Sequence, residues 1–317
     1  MTDLRSKLFS FRAISGIWIF LILSGIGIIS GAFSVFGAET ADVVDYRTFF
    51  GFDPRTTVWI IAELHLMFGA FVLGVPMFAV TVEYVGVLTK EERYDRLAKD
   101  FTRLLSASFA LTAALGGLLT FALFTLYPKV MTFMSGIFHE SFYIYAFFFF
   151  GETFVLYFYY YSWDRLKNRK GIHISAGVLL NIIGLIIMGI SNSWATYMMS
   201  PSGIDPGTMK FTGTLMDAIW NPLWNPLNLH RILGNAVFGG YVAGAYAAVK
   251  FLTAQTDEDR AHYDWMGYVG NFIAIVSLLF LPFAGYYLGR EVYSFSPIMG
   301  NNMMGGAFSW TFIIQAI

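Results

Sequence analysis

The chain has 317 residues, of which 56% are hydrophobic and only 13% are charged. A soluble domain carries about 25% charged residues, so this chain cannot cover a water-facing surface of its size, and the composition specifies a polytopic membrane protein. A net charge of −1 gives no reason to expect nucleic acid, and the lack of cysteine excludes disulfides, thiolate metal sites, iron–sulfur clusters and thioether-attached groups.

A membrane-spanning helix needs about 20 mainly apolar residues. The basic start MTDLRSKLFSFR runs into an apolar stretch over 13–36, too long for a signal-peptide core, which reads as an uncleaved first span. Further spans are predicted over 57–88, 104–127, 138–162, 173–199, 229–252 and 266–288. The apolar end from Gly305 to Ile317 holds 13 residues, less than a full span. The fold class is therefore all-α, a polytopic helix bundle with about seven to eight transmembrane helices. Segment 200–228 is long and contains Pro201, Pro206, Pro222 and Pro226, which predicts an ordered cap rather than a free linker.

Basic residues orient the bundle. Arg5, Lys7 and Arg12, loop 89–103, loop 164–170 and loop 250–264 fall on one face, and loops 37–56, 128–137, 200–228 and 289–304 fall on the other. The first set holds the excess of Lys and Arg, so it is placed in the cytoplasm, together with the N-terminus.

Ionisable groups inside an apolar span are expensive and usually have a partner or a task. Span 57–88 carries Glu63, His65 and Glu83, and His230 heads the apolar run NLHRILGNAVFGGYVAGAY. Both histidines fall in the outer leaflet under this orientation. Imidazole on two different helices suits haem iron, either two b-type haems or one haem with both axial ligands. Gly234, Gly239, Gly240 and Gly244 near His230 suit the close approach of a flat macrocycle or of another helix. Methionine can complete such a site, and Met198, Met199, Met299, Met303 and Met304 all fall on the outer side; the sequence does not choose among them. Glu152, within FFFFGETFVLYF, is a candidate proton relay, because an ion without a partner is costly there. Glu83 is a second candidate for the proton route, although its position close to the headgroups also predicts simple hydration. His139 and Glu140 form an interfacial pair with some capacity as an extra ligand. His173 and His262 are expected in water at loop ends. Arg290 and Glu291 sit where an outer quinol headgroup could reach them, and otherwise form an interfacial salt bridge.

At these positions the chain resembles subunit I of the cytochrome bd-type quinol oxidases, over about residues 57–290. His65 followed by Gly74 and by Glu83-Tyr-Val-Gly-Val-Leu is similar to that family's first haem-ligand helix. Gly151-Glu152-Thr-Phe, leading to Trp163-Asp164-Arg165-Leu166, resembles its glutamate helix. Asn192-Ser-Trp194 followed by Pro201, and Asn221-Pro222 ahead of His230, resemble its asparagine–tryptophan segment and the approach to its low-spin haem histidine. The resemblance implies that His65 belongs to the high-spin haem region, that His230 binds the low-spin haem, and that Asn192 and Trp194 lie beside the cofactor. It implies haem b, with room for a haem d-type site, and a quinone or quinol. Ile144 stands where the family has a second glutamate.

Three segments follow: 1–56 as an extra N-terminal helix and outer loop, 57–290 as the haem-binding bundle, and 291–317 as an outer loop with a short apolar end. The implied function is a haem-b membrane oxidoreductase subunit, passing electrons from quinol to oxygen or to a partner redox subunit. Membrane lipid and a second membrane subunit are the expected partners, in a prokaryotic cytoplasmic membrane. A haem-poor anchoring subunit of a larger respiratory assembly is the alternative. A transporter using His65 and Glu152 ranks last, because no repeated halves are visible.

Overall fold

The computed structural model describes residue 48 and residues 51–304; the predicted span 13–36 and the apolar end 305–317 lie outside the described residues. Helix α1 covers Pro54–Thr89, α2 Glu92–Leu126, α3 Pro128–Tyr161, α4 Lys170–Met199, α5 Leu215–Ile219, α6 Trp224–Thr253, α7 Asp257–Phe295 and α8 Pro297–Met304. Six of these (α1, α2, α3, α4, α6 and α7) are long and apolar enough to cross a membrane, so the all-α, multi-pass architecture stands. Lipid offers no hydrogen bonds to the backbone, and a helix satisfies that requirement internally.

Several predicted loops are shorter than expected. Only Tyr127 separates α2 from α3, where 128–137 was expected as a loop, and α7 continues to Phe295 where the chain was expected to leave the membrane after 288. The physical reason is visible at the helix starts. Pro54, Pro128 and Pro297 each occupy the first helical position, where the missing N–H costs nothing and the fixed φ favours the helix. At α7, Thr256 caps the backbone N–H of Asp259 at 3.1 Å, and Asp257, Glu258 and Asp259 place negative charge against the helix dipole.

The expected cap over 200–228 is ordered. Gly203 turns at φ +72°, a conformation that favours glycine, and its carbonyl accepts from Thr212 and Gly213. Thr214 and Asp217 form a reciprocal capping box at α5. Buried Asn221 ties the segment to the end of α4: its amide donates to Thr196 Oγ1 at 2.9 Å, and its oxygen accepts from Ser200 Oγ at 3.1 Å.

The described chain forms two compact units. One contains the residues up to Gly69 with Ala107–Gly136; its core is Ile61, Ala122 and Leu126, flanked by Val58, Leu119 and Tyr127. The other contains Ala70–Ser106 with the residues from Ile137 onward. There, small residues allow backbone-to-backbone crossings. A Cβ added at Gly74 would lie 2.2 Å from the Asn235 carbonyl oxygen, and one at Gly240 would lie 2.7 Å from that of Gly270. Without a hydrophobic force between helices in lipid, this close packing holds α1 to α6 and α6 to α7.

Candidate functional site

In the first unit, His65 occupies the fourth turn of α1 and is half-buried. Its Nδ1 lies 3.1 Å from the backbone carbonyl of Thr112 on α2. A carbonyl only accepts, so this contact assigns a proton to Nδ1. One turn further along α2, Gly116 makes room for the ring: a Cβ there would stand 2.9 Å from His65 Cε1. An imidazole whose second nitrogen is held by a carbonyl is the usual arrangement of a metal-ligating histidine.

In the second unit, half-buried His230 lies in the second turn of α6. Its ring faces α7, where a Cβ at Gly285 would be 3.7 Å from Nε2, and no hydrogen bond to it is described. The neighbouring Arg231 donates to Asn192 Oδ1 at 2.7 Å, Asn192 donates to Asn228 Oδ1 at 2.8 Å, and Asn228 donates to the Trp224 carbonyl at 2.8 Å. Asn192 thus aligns the residue beside His230. Trp194 donates its indole N–H to Ser141 Oγ at 2.9 Å and packs at a tilt against Phe142 and Tyr145. Of the glycines near His230, Gly239, Gly240 and Gly244 pack against neighbouring helices, whereas Gly234 faces open space.

Glu152 is buried, at 6% exposure, on α3. A Cβ at Gly184 on α4 would approach its Oε1 to 3.2 Å, and Leu73 of α1 to the same distance. None of the described hydrogen bonds or ion pairs involves it.

Glu83 is not hydrated; it is 1% exposed. Its Oε1 receives Lys170 Nζ at 2.9 Å and His173 Nδ1 at 2.6 Å, and its Oε2 receives the Tyr159 hydroxyl at 2.7 Å. His173 is likewise not in water. It is fully buried, stacked on Tyr159 with ring centroids 4.4 Å apart, and its Nε2 points at the Tyr159 carbonyl at 2.8 Å. Both ring nitrogens therefore face acceptors, and a proton lies on the line between His173 and Glu83. Lys170 also pairs with Asp95, which accepts from Trp163 Nε1 at 3.1 Å. Two acids thus meet two bases. Removing one partner of such a buried pair costs about 3–5 kcal/mol, because the other charge is stranded. His262 is also withdrawn from solvent, against Asp100 at 2.9 Å. At the surface nearby, the Lys99 ammonium, 2.8 Å away, holds the Asp164 carboxyl below its ordinary range.

The remaining candidates are peripheral. His139 and Glu140 are exposed, with the His139 ring edge-on to Tyr143. Arg290 and Glu291 pair with each other, Nε to Oε1 at 3.0 Å. Met199 ends α4 half-buried, Met299 is half-buried in α8, and Met303 and Met304 close that helix. Lys170, Asp95, Tyr159, Arg231, Asn228 and Asn181 were not singled out from sequence.

A multi-pass helical membrane protein with a carbonyl-oriented histidine, a second histidine and buried carboxylates is the class defined here. Residues 54–306 match the family described as cytochrome bd terminal oxidase subunit I, and the chain belongs to that family. It is 24% identical over 222 residues to a Bacillus subtilis (strain 168) protein provisionally named cytochrome bd menaquinol oxidase subunit I, a match covering 68% of this chain and 47% of that one. Its fold is similar to that of the bd oxidase from Geobacillus thermodenitrificans, with a TM-score of 0.67 at 20% identity, covering 78% of this chain and 58% of the other. The chain spans about half the length of the relative from Bacillus subtilis.

Proposed function

We propose that the protein is a haem-b-binding membrane subunit that takes electrons from quinol. The observation that carries this reading is His65, with Nδ1 engaged by the Thr112 carbonyl and ring space provided by Gly116. The residues present fit haem: His65 in the first unit and His230 in the second would each offer a ring nitrogen to iron, with Asn192 and Trp194 on the His230 side, and Met199, Met299, Met303, Met304 and His139 are the candidate further ligands. Haem held there would supply reversible one-electron chemistry. A haem d-type site belongs on the His65 side.

The chain's own residues then have separate tasks. Arg290 offers a donor and Glu291 an acceptor to the two hydroxyls of a quinol headgroup. Glu152 moves protons through the apolar interior, and the Glu83–His173 pair holds a proton between the last turns of α1 and the first turn of α4. The electron acceptor is oxygen or a partner redox subunit, and a second membrane subunit completes the ligand set. The setting is a prokaryotic cytoplasmic membrane with the N-terminus in the cytoplasm.

A reduced-minus-oxidised visible spectrum of the purified protein tests this. Bands of b-type haem that disappear in His65→Ala and His230→Ala are the expected result. A wild-type spectrum without haem overturns the reading and leaves the anchoring subunit. Oxygen uptake with a quinol donor then separates an oxidase from a relay.

A further inference from the structure

Within the second unit, helices α1, α3 and α4 border a cavity of about 10 Å3, lined by residues that include Val72, Pro76, Glu152, Asn181 and Gly184. That volume admits about one water. Its lining is otherwise apolar, yet three of the lining residues carry a polar group that needs a partner. Asn181 donates its amide to the Gly177 carbonyl at 2.8 Å, but its buried Oδ1 receives no hydrogen bond from the protein. Pro76 lies inside α1 and has no N–H to give to the Val72 carbonyl, which loses its helical donor. Glu152 is the third, buried with no described ion pair or hydrogen bond. Gly184 leaves the space open, since any Cβ there would crowd Glu152 Oε1.

The needs are complementary. Val72 and Asn181 present acceptors, and a buried carboxyl without a counter-ion is held as the neutral acid, which has an O–H to donate. One water satisfies all of them: it donates to Asn181 Oδ1 and to the Val72 carbonyl and accepts from Glu152. Three hydrogen bonds is the usual complement of a buried water. We infer that this cavity is a bound-water site joining Glu152 to Asn181, and that Asn181 is the positioning residue that holds the acid and its water in line. The inference deepens the reading of Glu152 as a proton carrier and rests on it for its purpose, but the site itself does not require haem.

Infrared spectroscopy of the full chain in detergent tests it. The carboxylic-acid C=O stretch of Glu152 is the band that Glu152→Gln removes. In Asn181→Leu that band moves to higher wavenumber and the associated water O–H feature disappears, because the water loses its acceptor. In Asn181→Ser, which keeps an acceptor and adds little strain, the band stays near its wild-type position. A Glu152 band unmoved in Asn181→Leu, or no acid band removed by Glu152→Gln, overturns the inference. A missing haem spectrum alongside a shifted band defeats the functional reading alone.

Discussion

Gly116 lacks a side chain where the His65 ring needs space. Gly116→Ala places a methyl 2.9 Å from Cε1, a distance that forces the imidazole aside. The ring is the movable party, so the fold survives and the Thr112 bond is lost. Haem content is expected to fall several-fold in Gly116→Ala, while Gly117→Ala, with nothing within 4 Å of its new methyl, keeps wild-type content. Equal haem in both variants would falsify the role given to the Thr112 contact. His65, His230 and Glu152 were legible because each interrupts an apolar run. His173 was not. Its flanks, NRKGIHIS, look like an aqueous loop, and its partner Glu83 lies 90 residues away. Nothing local reports that α4 begins at Lys170 and turns His173 onto α1. Asn181 was missed for a similar reason, since one amide in an apolar helix says nothing about which atom lacks a partner.

At the level of helices, sequence located every described span but not the ends. Hydropathy falls where a helix enters water, yet the backbone remains hydrogen-bonded, so α3 starts ten residues earlier than the predicted 138. Proline at the first helical position was the available signal. Packing is decided at the glycines. Gly240→Ala brings a methyl to 2.7 Å from the Gly270 carbonyl oxygen, a backbone atom that cannot swing away. Overpacking of this kind costs about 1–3 kcal/mol. Gly234→Ala meets nothing within 4 Å and is expected to gain about 0.5–1 kcal/mol from helix propensity. Thermal unfolding in detergent should rank the variants Gly234→Ala, wild type, Gly240→Ala. A Gly240→Ala midpoint equal to wild type would show that the α6–α7 crossing is looser than described. Helix α5 gives the pH prediction. Hydrogen bonds from the Thr214 backbone and hydroxyl hold Asp217 below its ordinary value of 3.8. A depressed carboxyl stabilises the fold above the unfolded value and loses that contribution as pH falls through the folded one. Exchange protection of the Ala218 and Trp220 amides, which close the α5 turns, should hold between about pH 7 and 5 and drop below 3.8. Thr214→Ala should weaken it at every pH, by about five-fold. Protection unchanged in strong acid would count against the capping box.

For the whole molecule, orientation follows from where the basic residues fall. Loop 162–169 carries Arg165, Lys167 and Arg169, and loop 90–91 leads into Arg93, Arg96 and Lys99 of α2. The segment 200–223 on the opposite side contains only Lys210. A positive loop resists translocation, so the Lys- and Arg-rich side is expected in the cytoplasm. The natural lack of cysteine makes a direct measurement possible, because a single introduced thiol is the sole site for a maleimide. Thr208→Cys and Asn168→Cys both fall at exposed positions on opposite faces. In intact cells an impermeant maleimide should label Thr208→Cys at once and reach Asn168→Cys only after the membrane is opened. The reverse pattern would place His65 and His230 in the inner leaflet, and would move the proposed quinol contact at Arg290 and Glu291 to the cytoplasmic side. The labelling therefore decides from which side quinol protons leave.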